Sequence, residues 1–188
     1  MKRIVFLLFL LAGVFGTSKA QTVGIKTNLL YDATATINLG AEVGLASKWS
    51  LDVSADYNAW DFSKGRKWRH LMVQPEARYW FCERFNGHFI GLHAHWMKFN
   101  IGNVKMPFGL WKNTRDNRFE GDLYGAGFTY GYQWLLGRHW NLEAAVGVGY
   151  ARVIYDRYTC KSCGRKLSSG KDNYFGPTKA ALSLVYLF

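Results

Sequence analysis

Alternation with a period of two runs through most of this chain. It restricts those stretches to pleated strands whose two faces differ in chemistry. From Ile37 to Leu45 one face reads Ile37, Leu39, Ala41, Val43 and Leu45, and the other reads Asn38, Gly40, Glu42 and Gly44. From Trp49 to Tyr57 the apolar face is Trp49, Leu51, Val53, Ala55 and Tyr57, opposite Ser50, Asp52, Ser54 and Asp56. Tyr124–Trp134 and Trp140–Tyr150 repeat the rule, with glycines and small residues prominent on the second face. A last stretch, from about Lys179, brings Ala180, Leu182, Leu184, Tyr186 and Phe188 together. Three weaker candidates, Val23–Tyr31, Leu71–Phe81 and Phe89–Phe99, make eight strands in all. Pro75 lies inside one of them and cannot donate to a ladder, so a bulge or a strand start is expected there.

The connections alternate in length. Ala46–Lys48, Cys82–Gly87 and Leu136–His139 are short, whereas Phe62–Arg69, Asn100–Phe119 and Asp156–Phe175 are long or polar. Only Asp32–Thr36 is short on the long side. Short turns at one end and long loops at the other describe an all-β fold, an eight-stranded antiparallel up-and-down transmembrane β-barrel.

The N-terminus reads as an export signal. Lys2 and Arg3 precede an apolar run from Ile4 to Phe15, and Ser18-Lys19-Ala20 offers small residues for cleavage after Ala20. The remaining 168 residues suit one domain, 21–188. Loss of Lys2, Arg3 and Lys19 lowers the net charge from +11 to +8, so the exported chain stays basic. No later stretch is apolar for long enough to be a spanning helix.

A soluble ligand-binding barrel would show the same alternation with its apolar face inside. Three features favour apolar-out. Aromatics bracket the apolar faces (Trp49 and Tyr57, Tyr124 and Trp134, Trp140 and Tyr150) as two membrane interfaces select. The polar face is rich in small residues, which suit a narrow interior. The last strand carries a terminal aromatic, Phe188, of the kind read by the outer-membrane insertion machinery.

The interior then holds Lys26, Glu42, Asp52, Asp56, Glu76, Arg78, His93, His95, Glu143 and Lys179. Ionised groups away from water need partners, and both signs are present, so a pairing network that plugs the barrel is expected. His93 and His95 share one face and, near Glu76 or Glu143, have the makings of acid/base groups or metal ligands. That raises an alternative, a lipid A-modifying enzyme, although no Ser can be placed beside either His. Two lumen histidines in a hydrogen-bond network are the plainer reading, with no catalytic residue, metal or cofactor.

The long connections are basic, with Arg66 and Lys67 in one, Arg115 and Arg118 in the next, and Arg165 and Lys166 in the last. A cationic rim of this kind matches the phosphates of lipopolysaccharide, though a solvated surface without a specific ligand fits equally; nucleic acid is a poor match for an exported barrel. Cys160 and Cys163 stand in the last connection. A local disulfide leads the readings, with free thiols, a zinc half-site and a redox motif as alternatives. Cys82 belongs at the opposite end, about 30 Å away at ~3.3 Å per residue, too far to pair with either.

The segments KTNLLYDATATINLGAEVGL (26–45), QPEARYWFCERFNGHFIGLHAHW (74–96), WNLEAAVGVGYARVIYDRYTCKSCG (140–164) and YFGPTKAALSLVYLF (174–188) resemble a family of small exported proteins from the Bacteroides–Porphyromonas group, DUF3575. The resemblance implies an outer-membrane barrel. It also hints at fimbrial or envelope biology through neighbouring fimbrillin-type adhesin genes. It brings no activity and no catalytic residues.

Overall fold

A computed structural model describes residues 23–62, 66–102, 117–159 and 166–188. Its elements are β1 (Val23–Asn28), α1 (Leu29–Asp32), β2 (Ile37–Gly44), β3 (Trp49–Asn58), β4 (Asp61–Phe62), β5 (Arg66–Trp80), β6 (Gly87–Gly102), β7 (Arg118–Leu135), β8 (Trp140–Tyr158) and β9 (Lys166–Leu187). Each long strand pairs antiparallel with its neighbour in sequence, β3 pairs with β5, and β9 returns to β1. Eight strands therefore close into an up-and-down ring, and β4 is a two-residue ribbon on β5.

The ring is staggered. Ladder partners lead from Ile25 through Ala41, Val53 and Pro75, and on β7 to β9 through Ala126, Tyr150 and Phe175. Ile25 itself faces Tyr186, so one circuit climbs from Tyr186 to Phe175 along β9. With strands ~4.8 Å apart and a rise of ~3.3 Å per residue, that stagger tilts the strands by about 40°.

The apolar faces point outward. Leu39, Leu51, Leu92, Phe128, Val146 and Phe175 are all exposed, while Glu42, Asp52, Glu76, Arg78 and Glu143 on the opposite phase are buried. This is the inverse of a soluble barrel. Aromatics gather in two girdles. Trp49, Tyr79, Phe81, Trp134, Trp140, Tyr186 and Phe188 line the end that carries the short turns, where Trp49 packs on Tyr79 at 5.1 Å and Trp140 on Tyr186 at 5.0 Å. Tyr57, Trp96, Tyr124, Tyr150 and Phe175 form the second. On β8 the girdles are ten residues apart, about 25 Å along the axis at that rise and tilt.

The strands differ from expectation in four places. The first stops at Asn28, whose side-chain oxygen accepts from the Leu30 amide and turns the chain into α1. Long strands reach into the stretches read as loops: β5 begins at Arg66, β6 ends at Gly102, β7 begins at Arg118, and β8 and β9 reach Tyr158 and Lys166. Pro75 makes neither a bulge nor a strand start. The β5–β6 ladder runs to Val73–Trp96 and resumes at Glu76–His93 in the same register, so the missing N–H costs rungs without displacing the chain. The β8–β9 ladder shifts register instead, once near its outer end, where Arg157 faces Ser168 but Tyr158 faces Lys166, and once in the wall, where Gly147 faces Lys179 but Val148 faces Pro177. Thr178 is the extra residue, so Thr178 and Lys179 both turn inward.

Candidate functional site

The interior is built in layers. At the turn end Trp80, Phe85, Phe89, Ala145, Val185 and Leu187 form an apolar plug. Phe85 holds a left-handed backbone, φ 63°, a conformation that costs a bulky residue energy and that burial of its ring against Trp80 offsets. The glycines of β7 make room for this packing. A Cβ on Gly131 would collide with Cζ of Phe89, and one on Gly127 would stand 2.9 Å from Cε1 of His93.

Above the plug lies the ion network, joined to it at two points. The Arg78 guanidinium stacks 4.4 Å above the Phe89 ring, and Trp80 Nε1 donates to Ser50 Oγ, which donates to Glu42 Oε1. Arg78 is the hub. Its Nε donates to Glu76 Oε1 at 2.7 Å, Nη1 to Glu42 Oε2 at 2.8 Å and Glu143 Oε2 at 2.7 Å, and Nη2 to Glu143 Oε1 at 3.0 Å and Asp52 Oδ2 at 3.1 Å. Five charge-assisted bonds use a planar fork that a lysine lacks. Lys26 Nζ bridges Glu42 at 2.9 Å, Asp52 at 3.0 Å and Glu143 at 3.4 Å. Lys179, turned inward beside the bulge, reaches Glu76 Oε2 at 2.7 Å.

Glu76 also accepts from Thr129 Oγ1 at 3.0 Å, which links the network to the histidines. His93 sits between two hydroxyls, Nδ1 with Thr129 and Nε2 with Thr178, both at 2.9 Å. His95 stacks beside it with ring centroids 5.6 Å apart and has no partner for Nδ1. Higher still, Asp56 and Gln74 line a cavity of about 30 Å³, large enough for one or two waters, and each has one polar atom without a protein partner.

All ten interior residues named from sequence are therefore inward, and seven of them (Lys26, Glu42, Asp52, Glu76, Arg78, Glu143 and Lys179) share one network, while Asp56 lines the cavity above it. His93 joins through threonines and His95 stands apart. Sequence reasoning missed Thr129, Thr178, Ser50 and Trp80 as participants. Trp80 had a signal, since it shares the phase of Glu76 and Arg78.

The basic residues are differently placed. Arg118 stands on β7, mostly buried, paired with Glu120 at 3.0 Å and stacked 4.6 Å over Tyr158. Lys166, on β9, pairs with Asp156 at 2.8 Å. Those hydrogen bonds, from Lys166 and then Ser169, hold the Asp156 carboxyl below its ordinary range. Lys67 is on β5 rather than in a loop, as is the backbone of Arg66. Arg115, Arg165, Cys160 and Cys163, the side chain of Arg66 and the export signal lie outside the described residues. Cys82 is an exposed free thiol in the turn between β5 and β6. Among the described residues no three His, Cys, Asp or Glu side chains gather as a metal site would need.

A family model described as a protein of unknown function, DUF3575, matches residues 5–188. The chain belongs to DUF3575. A comparison with curated proteins finds no match. What this DUF3575 interior can do chemically is limited by its packing. Each cation is enclosed by carboxylates, each network carboxylate by cations, and the turn end is shut by aromatic rings.

Proposed function

We propose that the chain is a non-enzymatic outer-membrane β-barrel of the bacterial envelope. The observation that carries the reading is the inversion of the wall. Apolar side chains cover the outside between two aromatic girdles about 25 Å apart, close to the apolar band of outer-membrane barrels, and the charges are inside. Such a surface is unfavourable in water and favourable in lipid. The packed interior argues against a diffusion pore. His93 engaged by two hydroxyls argues against a free catalytic base. In this reading the protein is exported, contributes to envelope structure and turns its long-strand end outward. There it meets lipopolysaccharide or a surface partner, such as a fimbrial component.

Membrane fractionation followed by a gel of unboiled and boiled detergent extract tests it. An outer-membrane band that migrates faster unboiled is expected. A protein found in the soluble fraction, indifferent to boiling, overturns the reading.

A further inference from the structure

The outer wall changes character just beyond the second aromatic girdle. Two residues past Trp96 on β6 the same outward phase carries Lys98, and two past Tyr150 on β8 it carries Arg152. Arg69 on β5 is two past Leu71. The stagger of the ring brings these positions to one height. Arg69 faces Asn100, Lys98 faces Leu71 and Asp122, and Arg152 faces Tyr124 and Asn173. Lys171 follows higher on β9, diagonal to Arg152 through the Ile154–Lys171 pair. All four side chains are exposed. The outward acidic residues beside them are Asp122, half-buried on β7, and Asp156, diagonal to Lys171 on β8 and paired with Lys166. No carboxylate lies within ion-pair distance of Lys98, Arg152 or Lys171 among the described residues.

We propose that Arg69, Lys98 and Arg152, with Lys171 above them, form a lipid-phosphate site on the outer wall, and that its occupant is the phosphorylated lipid A of the surrounding leaflet. The inference rests on the membrane-barrel reading. It departs from that reading's basic rim, because two of the rim residues, Arg118 and Lys166, are already paired with carboxylates of the chain. Three considerations join here. A ring of aromatics marks the boundary between acyl chains and headgroups. Cations directly above it stand where headgroup phosphates lie. Their side chains have long stems that cover apolar wall while the charge reaches outward. Arg69 and Lys98 on one adjacent pair of strands, and Arg152 and Lys171 on another pair beyond β7, can then each grip phosphate oxygens from two sides. The apolar wall below, with Leu92, Phe128 and Val148 exposed, would bear the acyl chains.

The full chain, extracted in mild detergent, is titrated with purified lipid A and the midpoint of its heat-modifiable band is followed. Dephosphorylated lipid A and a zwitterionic phospholipid serve as comparison arms. Phosphorylated lipid A should raise the midpoint and the other two should not. Arg69→Gln/Lys98→Gln/Arg152→Gln should weaken the effect by about a hundredfold, given the usual gain per basic residue at an anionic surface. Arg118→Gln/Lys166→Gln should leave it within about threefold. Equal response of the triple variant, or equal response to dephosphorylated lipid A, overturns the site. A response to the phospholipid alone overturns its assignment to lipid A. Wild-type protein that shows no heat-modifiable band signals failure of the barrel reading instead. The triple variant should keep the wild-type band, since none of its three changes touches the interior.

Discussion

Replacing Arg78 with methionine removes five hydrogen bonds at once, to Glu76, Glu42, Asp52 and Glu143. The side chain is fully buried, so water cannot take its place. Four carboxylates would then depend on two ammonium groups. Lys26 stays within 3.4 Å of Glu42, Asp52 and Glu143, and Lys179 at 2.7 Å from Glu76. Breaking a buried pair costs about 3–5 kcal/mol when the partner charge is left behind. The remaining lysines reduce that cost, whereas loss of the stack on Phe89 adds to it. A destabilisation of about 4 kcal/mol is expected. Arg78→Lys keeps the charge and loses the fork, so about half that loss is expected. Urea unfolding of the barrel in lipid vesicles, followed by gel mobility, measures both. Adding Glu143→Gln to Arg78→Met should recover part of the loss, because it withdraws one of the stranded charges. A loss for Arg78→Met below about 1 kcal/mol, the size of an exposed ion pair, would refute the argument that the hub is shielded from water.

Gly131→Val should cost about 1–3 kcal/mol in the same assay, because Phe89 occupies the space its side chain needs. Gly137→Ala, with nothing within 4 Å, is the control and should change little. Deleting Thr178 should keep the heat-modifiable band, since Pro177 already faces Val148 and Lys179 faces Gly147, so the ladder closes in regular alternation once the extra residue is gone. Thr178→Val keeps the register and should cost only about 1 kcal/mol for the hydrogen bond to His93. Lys166→Gln should raise the Asp156 carboxyl toward its ordinary range in a carboxyl NMR titration. A depressed folded-state value stabilises above the unfolded-state value and is lost as pH falls, so the variant's stability should depend less on acid pH there. An unmoved Asp156 titration would count against the Lys166 contact.

The ring and its inside were legible because a period of two leaves little freedom. Once Leu51 and Val53 share a face, Asp52 must take the other, and the same rule puts Glu42, Glu76, Arg78 and Glu143 inside. The extent of the strands was not legible. Beyond the second girdle the outward residues of β8 become Arg152, Ile154 and Asp156, a mixture that looks like loop, although the ladder continues to Tyr158. The bulge was hidden for a related reason. Alternation read back from Phe188 works to Lys179 and then slips by one, and no local residue type marks Thr178 as the place. The plug was missed because aromatic rings near a strand end look like girdle residues. Only the phase of Trp80, shared with Arg78, distinguishes a ring aimed inward from Tyr79 and Phe81 beside it. The Lys166–Asp156 pair joins two strands, and Arg118 stacks on Tyr158 across the ladder while pairing with Glu120 two residues along its own strand, contacts that a reading of the segments as loops could not supply.

The pairing of β1 with β9 has a consequence for how the chain is made. The two strands come from opposite ends of the sequence and meet over a short span, Gly24–Leu187 to Asn28–Ser183. Before that contact forms, the sheet has two open edges, and its outward face is apolar between the two girdles. Open edges and apolar faces together are what drives strands from different molecules to pair. Closure also carries a large loop-entropy cost, which makes it a late event. The unclosed chain is thus the dangerous species in this protein's life. Losing only the last six residues would leave a sheet almost fully built yet without its seam, a better template for aggregation than the unfolded chain.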